Sequence, residues 1–221
     1  MPSSSPRPIS DVMQRLRERT APIHAATEAL PLMHKLLAPE ADAADYQRYL
    51  SALHGVYLSV EPTLYAATSP AVLTRLGIRP KLPALRKDLE ALGASPDPTP
   101  PGLTRHLRAI VADELAALGG LYVLEGATLG GRVIARRLRK KWASAGDMPF
   151  DFLDFRGPDP AGEFRQFGIG LRERVSELSA WPHRSQAADE AVVVGAVAVF
   201  EAMHQAFSNA DPGAAQQQQA V

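Results

Sequence analysis

Apolar side chains return every three or four residues from about Asp11 to Phe207, and no segment alternates with period two. That is the pattern of helices that each bury one stripe. Alanine, leucine, arginine and glutamate dominate between the breaks, and all four favour helix. The chain is therefore expected to be all-α. Ser10 or Asp11 can cap a first helix reaching about Ala29, and Asp42 a long one over roughly 43–66. The apolar face of the long helix includes Tyr46, Leu50, Leu53, Tyr57 and Val60. Shorter helices are predicted over 71–77 and 81–92, a long glycine-interrupted stretch over 103–143, and two more over 161–179 and 187–207. The proline-rich run Ser95 to Gly102 must be a loop, and a second loop runs from Ser144 to about Pro160. These loops punctuate one helical domain, residues 10–207, between flexible tails at 1–9 and 208–221.

Charge and cysteine content exclude several function classes. The 24 lysines and arginines equal the 24 aspartates and glutamates, so no global field steers the chain to nucleic acid or an acidic membrane. With no cysteine, disulfides, thiolate nucleophiles, iron–sulfur ligation and cysteine zinc sites are ruled out. No apolar run approaches the roughly 20 residues that span a bilayer. The longest, Ala191 to Phe200, carries Gly195. The N-terminal residues lack the apolar core of a secretory signal. A soluble, cytoplasmic protein is expected.

Two segments stand out. In the first, Leu16 to Glu28, Arg17, His24 and Glu28 follow at steps of seven and four and share one helical face. An imidazole that binds iron commonly gives its other ring N–H to a neighbouring acceptor, which a glutamate one turn on would provide. Taken alone, the same run reads as a surface helix with one histidine. The second segment, Gly119 to Arg132, puts five glycines into thirteen residues (119–131), although each interior glycine costs a helix about 1 kcal/mol. Gly119, Gly126 and Gly130 fall at steps of seven and four, which leaves one stripe almost bare. Such a stripe serves close helix packing or lets a backbone lie against something flat. The remaining histidines read as ordinary: His54 and His204 on buried or half-buried faces, and His34, His106 and His183 near helix ends or loops. None pairs with another at i+4, which argues against a di-iron or zinc site.

Together the two segments resemble the heme oxygenases. Thr20, His24 and Glu28 match the family's proximal-helix pattern. Leu121-Tyr122-Val123-Leu124-Glu125-Gly126-Ala127-Thr128-Leu129-Gly130-Gly131 is similar to the distal helix of its bacterial branch, especially the biliverdin-producing enzymes that accompany bacteriophytochromes. Gly162 to Phe167 is similar to the family's late helix, and the likeness runs in order over about residues 11–207.

The resemblance implies a single-domain multihelical bundle with a heme slot between proximal and distal helices. It implies that His24 ligates the iron, that Glu28 takes the Nδ1 hydrogen, and that Gly126, Gly130 and Gly131 form the catalytic wall against the porphyrin face. Heme would then be both substrate and cofactor. Arg17 and Arg165 would grip the propionates, with Tyr122 near them. The implied reaction takes heme, O2 and electrons from ferredoxin, flavodoxin or a reductase to biliverdin, carbon monoxide and ferrous iron. The biliverdin could pass to a bacteriophytochrome. A non-catalytic heme carrier of the same fold is the rival reading; a thiaminase-like member would want the cysteine this chain lacks. The basic cluster Arg132, Arg136, Arg137, Arg139, Lys140 and Lys141 is either a donor-docking surface or a solvated helix end. In two places the chain departs from the pattern: Ala127 stands where animal-type enzymes carry an aspartate, and Pro22 is expected to kink the proximal helix or mark its start.

Overall fold

The computed structural model describes residues 11–94, 99–142, 148–155, 157–179 and 185–210. The expected N-terminal tail at 1–9, residues 211–221 of the tail expected at 208–221, and parts of both expected loops lie outside these residues; Ser208 and Asn209, expected in that tail, are helical. The described elements are α1 (Val12–Glu28), α2 (Pro31–Leu37), α3 (Ala43–Ala66), α4 (Pro70–Arg75), α5 (Leu82–Ala91), α6 (Leu103–Ile110), α7 (Glu114–Lys141), α8 (Pro160–Leu178) and α9 (Ser185–Asn209). No strand occurs among them, as the periodicity requires.

Local chemistry sets most boundaries. Asp11 opens α1 by accepting from the Met13 amide, and Asp42 and Asp45 form a reciprocal capping box on α3. All five stripe residues named for α3 are buried, and so are most of its other positions, so α3 is a core helix rather than an amphipathic one. Two boundaries depart from the sequence reading. Pro31 starts α2 as its first residue, where a fixed φ favours initiation, yet no helix is expected there from the sequence. The stretch 103–143 divides at Val111–Asp113, where the Asp113 carboxylate accepts from Ala116 N–H and caps a new helix. α1 begins at Val12 and runs on through Pro22, so Pro22 does not mark its start.

The bundle is organised around α9. It packs most extensively on α7, then on α1 and α3. Val192, Ala196 and Val199 are fully enclosed, and Val193, Ala198, Ala202, Met203, Ala206 and Phe207 are buried beside them. By length and composition α9 is apolar enough to cross a membrane, contrary to the sequence expectation. Most of its apolar side chains are those a central helix buries among its neighbours, while Val194 is exposed.

Ion pairs fasten the periphery: Arg15–Asp189 and Arg19–Glu190 join α1 to α9, and Asp11–Arg172 joins it to α8. Glu177 of α8 receives both Arg75 of α4 and Arg174, and these guanidiniums hold its carboxyl at about 2, against an ordinary 4.5. A depressed folded-state value stabilises the fold above the unfolded value, and that stabilisation fades as pH falls toward the folded one. Between about pH 5 and 2, wild-type Tm should therefore fall more steeply than that of Glu177→Gln. Parallel curves would show that these pairs contribute nothing to stability.

Candidate functional site

Both α1 and α7 lean on α9 while making few close backbone approaches to each other. They meet through Tyr122. Burial raises its phenol, while the Thr20 hydroxyl and the Arg17 charge, both on α1, act in the opposite direction. Thr20 is itself buried and donates to the Leu16 carbonyl at 2.7 Å. His24 lies one turn beyond Thr20, and Gly126 and Gly130 lie one and two turns beyond Tyr122.

The His24 side chain is 55% exposed, with Nδ1 3.6 Å from a Glu28 carboxylate oxygen and its ring edge-on to Phe200 at 5.6 Å. The pairing expected from the i,i+4 spacing is thus present at ion-pair distance, slightly too long for a hydrogen bond. Phe200 buttresses one side of the ring. One turn on along α9, His204 Nδ1 lies 3.3 Å from the Thr27 hydroxyl. That hydroxyl's own hydrogen goes to the Ile23 carbonyl, so His204 donates and carries its hydrogen on Nδ1. His204 is half-buried and His54 buried, as expected of core histidines; Arg86 Nε donates to His54 Nε2.

The glycines of α7 do two different jobs. A Cβ at Gly119 would collide with the Val192 carbonyl oxygen of α9, and one at Gly195 with that of Ala116. These two glycines let α7 and α9 cross at backbone distance. At Gly120 a Cβ would press on Leu64 and Val199. Gly119 therefore belongs to the helix crossing, not to the bare face that spacing alone assigned it. Gly130 differs: a Cβ there would meet nothing within 4 Å. At Gly126 the nearest atoms are those of the Phe164 ring, at 3.8 Å, and at Gly131 those of Leu153, at 3.4 Å. Packing thus accounts for Gly119, Gly120 and Gly195 and leaves Gly130 without a structural reason.

Of the cations, Arg17 and Arg165 are both exposed and form no ion pair among the described residues. Phe164, beside Arg165, stacks on Phe167 at 5.9 Å and tilts against Tyr122 at 6.0 Å, so α8 brings an aromatic edge to Gly126. Asp154 takes Arg132 and Arg139, and Lys141 reaches the Ala38 carbonyl. Arg136, Arg137 and Lys140 project from α7 exposed.

One buried set goes unnoticed in the sequence. Lys81 (1% exposed) places Nζ 2.5 Å from Oε1 of Glu125 (0% exposed), while its own N–H donates to Glu61 at 2.6 Å. The one available signal was Glu125 itself, a charge directly after the apolar run Leu121 to Leu124, where a buried carboxylate demands a partner.

The family model for heme oxygenase matches residues 10–209, and the chain belongs to the heme oxygenase family. It is accordingly an enzyme of heme degradation. A curated heme oxygenase of Xanthomonas campestris is 32% identical over 173 residues, 78% of this chain and 94% of that one. Heme oxygenase-1 of Synechocystis, solved in complex with heme, superposes with a TM-score of 0.71 at 16% identity, over 95% of this chain and 96% of that one. The heme oxygenase of Leptospira interrogans gives 0.70 at 21% identity, over 90% and 99%.

Proposed function

We propose that this chain opens the heme ring to biliverdin, releasing carbon monoxide and ferrous iron, with the macrocycle seated between α1 and the glycine face of α7. The observation that carries the reading is Gly130, a helix-interior glycine that no neighbour requires. The residues present suit heme: an accessible imidazole with a carboxylate one turn on, a bare helix face, an aromatic edge and two exposed arginines. Bound heme supplies the redox-active iron and the site of O2 chemistry.

The chain's own part is to hold and shape. His24 gives Nε2 to the metal as neutral imidazole, and Glu28 accepts the Nδ1 hydrogen after a small side-chain adjustment, fixing the tautomer. Gly126, Gly130 and Gly131 let the α7 backbone approach the ring face, where side chains would hold it off. Phe164 and Tyr122 exclude water from one edge. Arg17 and Arg165 meet the propionates, for which a guanidinium offers two parallel donors. Arg136, Arg137 and Lys140 give an acidic ferredoxin, flavodoxin or reductase a surface to approach. Supply of chromophore to a bacteriophytochrome is the role we favour for the product.

The direct test is to add hemin to the purified protein and supply ascorbate or ferredoxin. A histidine-ligated ferric spectrum that bleaches into a biliverdin band is the expected result. A stable complex whose ring never opens would make the protein a heme carrier. Arg17→Ala should weaken hemin binding by about tenfold, as loss of one charge-assisted pair does, and leave the ferric spectrum unchanged. Unaltered affinity would remove Arg17 from the propionate site.

A further inference from the structure

The glycine-bearing span 126–131 is held at both ends, by α5 and the residue that precedes it. At one end stands Lys81, the residue just before α5. Its N–H and that of Leu82 donate to the two oxygens of Glu61 on α3, at 2.6 and 3.2 Å, which locks the Lys81 backbone to the core. From that fixed point Nζ crosses to Glu125, the residue before Gly126. At the other end stands Asp88 of α5, completely buried, whose oxygens accept from the N–H groups of Asp151 and Phe152 at 3.0 and 2.9 Å. The segment so pinned, 148–155, lays Leu153 against Gly131 and offers Asp154 to Arg132 and Arg139. Phe155 in the same segment lies under the Lys81 ammonium at 5.3 Å, joining the two holds. Tyr46 adds a third tie, donating to the Pro149 carbonyl at 3.0 Å.

A helix with interior glycines bends easily, so its shape must be imposed from outside. Ion pairs and buried carboxylates are poor sources of net stability but are selective about geometry. We propose that α5 is a bracket: through Lys81–Glu125 and Asp88–148–155 it sets the curvature of the Gly126–Gly131 span, and with it the stand-off of that face from the heme. This rests on the functional reading above. Lys81 and Asp88 are positioning residues in this scheme; neither need touch the macrocycle.

The test uses the full chain in three forms: wild type, the charge-free pair Lys81→Met/Glu125→Leu, and Asp88→Asn. Each is examined for helical circular dichroism and Tm without hemin, for hemin affinity and ferric spectrum, and for biliverdin isomer composition in ascorbate-driven turnover. A working bracket predicts that the charge-free pair keeps its helical content yet binds hemin about tenfold more weakly, the scale on which outer supports act on a metal site. It also predicts a changed isomer ratio and a displaced ferric spectrum in both variants. Glu125→Asp, which keeps the charge on a shorter arm, should fall between. Wild-type affinity and isomer ratio in the charge-free pair overturn the proposal. A charge-free pair that does not fold also overturns it, by making Lys81–Glu125 a stability element alone. Wild-type protein that takes up no hemin overturns the functional reading instead, and is seen before any variant is made.

Discussion

His24→Ala should bind hemin without the histidine-ligated ferric spectrum and at least about a hundredfold more weakly, the upper end of what removing a mere ligand-orienting partner costs. The protein itself should barely notice. His24 is more than half exposed and its ring meets Phe200 edge-on, so unfolding should change by no more than about 1 kcal/mol. That separation makes the variant informative, because a lost spectrum cannot be blamed on a lost fold. Free imidazole added to the variant should enter the space vacated and restore much of the spectrum. Glu28→Gln should cost about tenfold, since the amide still accepts a hydrogen bond but no longer carries charge. If His24→Ala keeps the wild-type spectrum, another histidine holds the iron and the assignment of α1 falls.

The second large effect divides glycines that look alike in the sequence. Gly119→Ala forces a methyl into the α9 backbone at Val192, and Gly195→Ala does the same to α7 at Ala116. Neither obstacle is a flexible side chain, so each substitution should cost about 3 kcal/mol, the upper end of ordinary overpacking. Gly130→Ala meets no neighbour and removes a poor helix former, so unfolding of the heme-free protein should become harder by up to about 1 kcal/mol. Hemin binding should move the other way, and Gly130→Phe should block it or redirect ring cleavage. Thermal melts with and without hemin check both halves. Turnover and isomer composition unchanged in Gly130→Phe would show that this face is not the wall of the slot.

Much of this was legible in the residues because it is local. The cap and apolar stripe of α3 announce a helix with a buried face, though not its burial all round, and the i,i+4 spacing of His24 and Glu28 carries their pairing without any knowledge of the fold. What stayed hidden depends on partners far away in the chain. Spacing groups Gly119 with Gly126 and Gly130, but only α9, more than seventy residues on, decides that one is filled and another open. No helix is expected at Pro31, yet it starts one, since its missing N–H is one a first turn never uses. Asp113 hides inside a continuous helical pattern because a cap resembles any exposed carboxylate until its amide partner is seen. Glu125 betrays that it needs a cation; nothing in the order of residues says that the cation is Lys81.

The placement of α9 also orders events in time. The first, third and seventh helices all rest on the ninth, so a ribosome must finish α9 before this core can close. Until then the surfaces that α9 covers stand open to water and to other nascent chains, the condition in which holding chaperones earn their keep. Trimming the chain inside 192–207 should therefore yield aggregates, not a smaller working enzyme.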